Sequence, residues 1–368
     1  MKAAVLRVVG DSFSLEDIPR PRPRGGEILV RVCACGVCHT DLHVIKGEVT
    51  FPVPCVLGHE ISGWVAELGA GVTGFAVGQR VVSSFIMPCG TCYYCARGRD
   101  DLCETFFAYN RLKGTLYDGE TRLYSESGSP IWMYSMGGLA EFAVVPATDV
   151  FSLPAELPIE EASVLGCAMF TAYGAVRNGA DLRGGESVAV VATGGVGSNI
   201  LQLARAFGAA PIIAIDIRDD KLAAARELGA THAIDGRSEA VVDQVRAITG
   251  GRGVDVAFEV LGRAETFVQA LGVVRDGGRA VMVGIAPAGV TAPVEITRLV
   301  RRGIRIIGSY GARTRTDVPE VIALARRGAV DVARSVTRRY NLSQVNAAYA
   351  ALNQGEIVGR AIVTIGSE

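Results

Sequence analysis

Four of the nine cysteines of this 368-residue chain lie in one stretch, CGTCYYCARGRDDLC, from Cys89 to Cys103. Cys89, Cys92, Cys95 and Cys103 are separated by two, two and seven residues, so one tight loop can gather four sulfurs around a point. Four thiolates at tetrahedral geometry make a closed zinc site with no corner left for a substrate, which is a structural site. Aspartates, a basic run and turn formers between the ligands describe an exposed lobe with little apolar area, whose fold the metal supplies. An iron-sulfur cluster shares the short spacings but ordinarily has a different fourth spacing and a following proline.

A second constellation lies upstream, in CGVCHTDLH (Cys35 to His43) and GHEISG (Gly58 to Gly63). These segments hold His39, His43 and His59, three of the four histidines. A thiolate from Cys38 and an imidazole from His59 offer two zinc ligands, and Cys167 in LGCAMFTAYGA offers a third. Three ligands leave one position open, and an open position means chemistry. Asp41 and Glu60 sit beside these residues, where a carboxylate fixes an imidazole tautomer. Cys33, Cys35 and Cys55 read as buried core thiols, and His232 as a structural histidine.

The third pattern follows the apolar run SVAVVA. TGGVGSN leads into a helix, and the next strand ends at Asp216, 19 residues beyond Gly197. Glycines at such a turn let backbone N–H groups approach a pyrophosphate, and an acidic residue about 20 positions on accepts from ribose hydroxyls. Gly194 and Gly197 are in register with G-x-G-x-x-G, Gly195 lies between them, and Ala192 replaces the first glycine. Asp216 would repel a 2′-phosphate and so points to NAD, while Arg218 keeps NADP open.

These residues need two kinds of scaffold. The first ~150 residues carry short β-branched runs and many turn formers, the texture of an irregular, mostly β domain. From about Gly184, apolar strands alternate with helical segments, which implies a doubly wound parallel sheet. The last segment adds one helix and a strand and is expected to rejoin the first domain. YDGETRLYSESGSP (Tyr117 to Pro130) reads as an exposed excursion. A formal net charge of -1, from 37 basic and 38 acidic side chains without long runs, gives no footprint for nucleic acid or an anionic membrane. The N-terminus reaches charge too soon for a signal peptide, and no apolar run spans a bilayer. A cytoplasmic enzyme acting on small molecules is the expectation, and reduced thiols there are metal ligands rather than disulfides.

Together these residues resemble the zinc-dependent medium-chain alcohol dehydrogenases, over essentially the whole chain. GHEISGWVAELGAGV, Gly58 to Val72, matches that family's signature G-H-E-x2-G-x5-G-x2-V. The resemblance implies an α/β architecture: a GroES-like catalytic domain over residues 1–165 and 312–368, and a Rossmann cofactor domain over 166–311. It implies a catalytic zinc on Cys38, His59 and Cys167 with Glu60 beside it, and a structural zinc on the four-cysteine lobe. Thr40 would touch the substrate oxygen and pass its proton through the cofactor ribose to His43, with Phe85 lining the alcohol pocket. His39 and Arg360 would meet the pyrophosphate, Asp216 and Lys221 the adenosine ribose, and Thr171 and Val196 the nicotinamide. Two departures stand out. The methyl of Ala192 is expected to loosen helix–strand packing, and His39, where arginine is common, to speed cofactor release.

The implied activity is interconversion of an alcohol with an aldehyde or ketone by hydride exchange with NAD(H), in a homodimer or homotetramer. GIRIIGSYG, Gly303 to Gly311, would be the edge strand pairing across a two-fold axis. A reductase of activated C=C bonds using NADPH would share the scaffold but would have no use for Cys38, His59 and Cys167 together. A non-catalytic zinc protein would not need the dinucleotide turn.

Overall fold

The computed structural model describes residues 1–366. It comprises two compact units: Met1–Phe170 with Arg313–Arg326 and the chain from Val332 onward, and Thr171–Ala312 with Arg327–Asp331.

The first unit is built on the strand Glu27–Val37, whose eleven residues are buried except Arg31. The run EILVRVCACG is apolar almost throughout because this strand is covered on both faces rather than one. It pairs antiparallel with Ile61–Leu68, Phe142–Pro146 and Arg360–Thr364 at the heart of a seven-stranded sheet. The C-terminal strand joins in register, Val37 opposite Ala361 and Ala34 opposite Thr364. A smaller five-stranded sheet includes Lys2–Leu6, Cys55–Val56 and Pro130–Met133. Cys33, Cys35 and Cys55 are core residues, and all nine cysteines are free.

The Tyr117–Pro130 segment is exposed over most of its length, as its polar composition suggests, but its middle turns inward. Arg122 is buried and forms ion pairs with Glu27 (2.5 Å) and Asp118 (2.6 Å), and Thr121 and Leu123 are also buried. Residues 118–120 and 126–130 are exposed. A guanidinium with two carboxylates can be buried where a lone charge cannot, so Arg122 sits inside an otherwise largely exposed loop.

The second unit is a Rossmann-like layer of six parallel strands. Its order is His232–Asp235, Ile212–Asp216, Val188–Val191, Val254–Glu259, Val274–Met282, Arg305–Gly308. Helices alternate with the strands, as a parallel sheet requires. Val188 pairs with both Ile212 and Val256, so the strand that feeds the glycine turn is central. Ile213, Ile215, Val245, Ala257 and Ala280 are among the core side chains. Among the described residues no helix is long and apolar enough to cross a membrane.

Candidate active site and metal centres

The first unit gathers two sets of ligand atoms, each within 4.8 Å of one another: Cys38, His59, Glu60 and Cys167, and Cys89, Cys92, Cys95 and Cys103.

In the first set, Cys38 directly follows the long strand and precedes the short helix His39–Ile45, its backbone extended (φ -126). His59 and Glu60 come immediately before the strand that opens with Ile61 opposite Cys35, so sheet pairing sets them beside Cys38. Cys167 follows the 3₁₀ turn Glu161–Gly166. Gly166 passes so close to Ser83 that a Cβ would stand 2.0 Å from its carbonyl oxygen, which only glycine permits.

All four side chains are buried. Nδ1 of His59 lies 2.9 Å from Asp41 Oδ1, which also accepts from Gly58 N–H, while the Tyr349 hydroxyl donates to Asp41 Oδ2 at 2.8 Å. The carboxylate therefore holds the proton on Nδ1 and turns Nε2 toward the thiols. Nε2 is buried with no hydrogen-bond partner. Orphaning such an atom costs about 1–3 kcal/mol, and a cation shared with two sulfurs removes that cost. One imidazole and two thiolates suit zinc with a position open.

Glu60 does not share Asp41's task. Its Oε1 stands 4.0 Å from Nε2, and its carboxylate pairs with Arg360, itself 4 % exposed. The Cys38 thiol is held well below its ordinary range by a hydrogen bond from Cys167, assisted against burial by the charges of Arg360 and His59. Cys167 is pushed up by the same bond and by burial. Both thiols would have to give up their protons to a bound metal. Burial opposes charge on His59, yet the Asp41 charge and then Cys38 raise its pKa to about 9.

Thr40 Oγ1 lies 3.6 Å from Cys38 Sγ. His43, in the last turn of the short helix, bonds Glu48 through Nδ1, and His39 is exposed at the first turn. Phe85 is buried, its N–H donating to Gly166 O at 3.1 Å, with its ring edge-on to His59 (centroids 6.0 Å) and Phe170 (5.9 Å). Tyr134 stands edge-on to His59 at 6.0 Å.

In the four-cysteine set, backbone N–H groups of Cys89 and Phe106 point at Cys103 Sγ (3.3 and 3.4 Å), and that of Cys92 at Cys89 Sγ (3.3 Å). Burial raises the Cys89 pKa, but bonds from Thr105 and from the Thr91 and Cys92 backbone bring it to about 6. The lobe is less detached than its composition implies. Arg315 reaches it to bond the Cys95 carbonyl (2.6 Å) and to pair with buried Asp100 (2.7 Å). Nothing in the local sequence announces Arg315, 215 residues from Asp100.

The second unit carries the glycine turn. Gly194 caps the helix Gly195–Ala206, and a Cβ on Gly197 would stand 2.1 Å from the Ala192 carbonyl oxygen, the close approach the motif requires. Ala192 itself adopts φ +72. At Ala192 the departure from glycine shows as a left-handed backbone, while the close approach to its carbonyl is made by Gly197. Asp216 ends its strand, buried, accepting from Thr193 N–H (2.8 Å), Thr193 Oγ1 (3.1 Å) and Arg218 N–H (3.2 Å). Thr171, Val196 and Lys221 are half-buried in this unit.

Comparison with known proteins gives a consistent likeness. A family model described as alcohol dehydrogenase GroES-like domain matches residues 24–155, and one described as zinc-binding dehydrogenase matches residues 195–327. The NDMA-dependent alcohol dehydrogenase of Amycolatopsis methanolica is 34 % identical over 360 residues, 96 % of each chain. The structure of an alcohol dehydrogenase zinc-binding domain protein from Burkholderia ambifaria superposes with a TM-score of 0.94 at 37 % identity, covering 100 % of this chain and 99 % of that one. Benzyl alcohol dehydrogenase from Acinetobacter calcoaceticus gives 0.93 at 31 % identity, covering 99 % of both.

Proposed function

Because the chain belongs to the zinc-dependent medium-chain alcohol dehydrogenase family, we propose that it interconverts a primary alcohol and its aldehyde with NAD(H) as the hydride carrier. The observation that carries the reading is the buried, unpartnered Nε2 of His59 aimed at two thiols. Cys38, His59 and Cys167 would hold a catalytic zinc, and Cys89, Cys92, Cys95 and Cys103 a structural one. When bound, zinc supplies Lewis-acid polarisation of the substrate oxygen.

The remaining work falls to side chains. Asp41 keeps the His59 proton on Nδ1, and Tyr349 holds Asp41. Phe85 and Phe170 wall the site with apolar surface and keep water from the reacting carbon. Thr40 Oγ1, next to Cys38, would accept the hydroxyl proton while releasing its own, and half-buried His43, paired with exposed Glu48, would be the outer group that delivers a proton to solvent.

The hydride acceptor is the finer part of the proposal, since one relative is named for NDMA dependence. Support for NAD comes from Asp216, which receives three hydrogen bonds and, with about four acceptor positions on a carboxylate, keeps room for a ribose hydroxyl. Gly194, Gly195, Gly197 and Val196 would take the pyrophosphate and nicotinamide side, with Thr171, Lys221, His39 and Arg360 in the supporting roles the family gives them.

Metal analysis and turnover test this together. The expected result is about two zinc ions per chain, with oxidation of a panel of primary alcohols by NAD that chelation abolishes. One zinc or none, or reduction of enones with NADPH in place of alcohol oxidation, would overturn it.

A further inference from the structure

Six arginines converge on one cleft for which the reaction as described has no use. The cleft measures about 1030 Å³ and lies within the second unit, lined by Arg246, Arg252, Arg275, Arg298, Arg301 and Arg302 and by the carboxylates of Asp276 and Glu295. Arg246 comes from the last turn of the helix Val241–Ile248, and Arg275 from the opening of the strand Val274–Met282. Arg298, Arg301 and Arg302 come from the helix Ile296–Arg302, where intervals of three and four put them on one face. The glycine turn is elsewhere. Arg252 precedes the strand Val254–Glu259, so the cleft is at the amino ends of the parallel strands, whereas the glycine turn follows the carboxyl end of Val188–Val191.

Carboxylates answer only part of this charge. Arg275 pairs with Asp255 (2.6 Å) and Arg302 with Asp276 (3.0 Å), while Arg246 stands 3.9 Å from Asp243. Arg298 donates to the carbonyl oxygens of Leu271 and Gly272 at 3.1 Å, dipoles that fix the side chain without cancelling its charge. Arg252 and Arg301 are exposed and form no ion pair among the described residues. Like charges gathered on a concave wall focus their field into the cleft, which raises the local concentration of anions. Each of these cations is an arginine, whose planar fork grips two phosphate oxygens at once. No lining side chain is aromatic and Val274 is the only apolar one, so no ring or hydrocarbon face awaits a base or an acyl chain. The volume is that of a small-molecule site and exceeds what one phosphate fills.

We propose that this cleft binds the polyphosphate chain of a small molecule, at a site separate from that of the cofactor. Arg252 and Arg301 are its uncommitted anchors, and Arg298, already held by two carbonyls, is the preset one. The proposal does not depend on the dehydrogenase reading.

The zinc-loaded full chain is titrated calorimetrically with tripolyphosphate while NAD is kept in excess to occupy the glycine turn. Binding at a single site per chain is expected, weakened by added salt. The Arg252→Met/Arg301→Met double variant should lose at least about tenfold in affinity, since each change removes charge-assisted hydrogen bonds. Arg183→Met, at an exposed position outside the cleft, should lose nothing. ATP in place of tripolyphosphate separates two sources of the same chemistry: similar affinity identifies the chain alone, and tighter binding a nucleotide. Absence of binding, displacement of tripolyphosphate by NAD, wild-type affinity in the double variant, or an equal loss in Arg183→Met overturns the proposal. Both replaced arginines are exposed, and if the double variant nevertheless melts early, the two single variants are judged by the same criterion.

Discussion

At the scale of single residues, the site is a chain of fixed protons. Asp41 turns Nε2 of His59 toward the thiols, and the Tyr349 hydroxyl, 308 residues along the sequence, holds Asp41. Tyr349→Phe keeps the ring and removes one donor from a buried carboxylate. It is expected to weaken zinc at the His59 site about tenfold while the lobe zinc is retained, as read by competition with a chromogenic chelator. Asp41 was legible because it lies two residues from His43 and beside the histidine-rich motif. Tyr349 was not, since no local pattern marks a hydroxyl whose partner arrives through folding. Ala192 is the opposite case. The departure from glycine is plain in the sequence, but its consequence is a backbone angle of φ +72 that only the structure displays. A left-handed alanine costs about 1 kcal/mol or more, so Ala192→Gly is expected to raise the stability of the cofactor unit by roughly that amount in urea unfolding. An unchanged midpoint would mean the turn relaxes elsewhere.

Among the elements, the four-cysteine lobe shows how spacing and tertiary support divide the work. Two-two-seven spacing places four sulfurs within 4.8 Å, which the loop can do unaided. Its attachment depends on the helix Thr314–Arg326, which delivers Arg315 to Asp100 and to the Cys95 carbonyl. Arg315→Met leaves the buried Asp100 carboxylate without its cation, at a cost of about 3 kcal/mol. The expected outcome is a lobe that is cut sooner by trypsin at Arg97 or Arg99 and that gives up its zinc faster to a chelator. Equal rates would show the metal alone fixes the loop. The Tyr117–Pro130 segment shows the same division on a smaller scale: it is largely exposed, yet its Arg122 turns inward to pair with buried Glu27 as well as with exposed Asp118.

For the whole molecule, the alternation of strands and helices after Gly184 announced a parallel sheet, and the six strands follow that order. The run Gly303 to Gly311 contains the strand Arg305–Gly308, which lies at the sheet edge. Just before it, the helix Ile296–Arg302 buries none of its residues and leaves Ile296 75 % and Val300 72 % exposed. An apolar face beside an open edge fits a second copy of the chain. On the proposal that the enzyme self-associates, Val300→Asp should shift the species seen by light scattering toward the monomer. A variant that keeps the wild-type mass would place any interface elsewhere.

The sequence by itself determined what depends on local spacing: the cysteine lobe, the His59 motif, the glycine turn and the parallel alternation. Each is specified by residues close enough along the chain for their types and intervals to carry the geometry. The tertiary structure alone decided which distant partners complete these pieces: Tyr349 on Asp41, Arg360 on Glu60, and Arg315 on Asp100. Pairings of buried polar groups across tens or hundreds of residues leave no periodic trace, because their energy depends on where the fold excludes water rather than on neighbouring sequence.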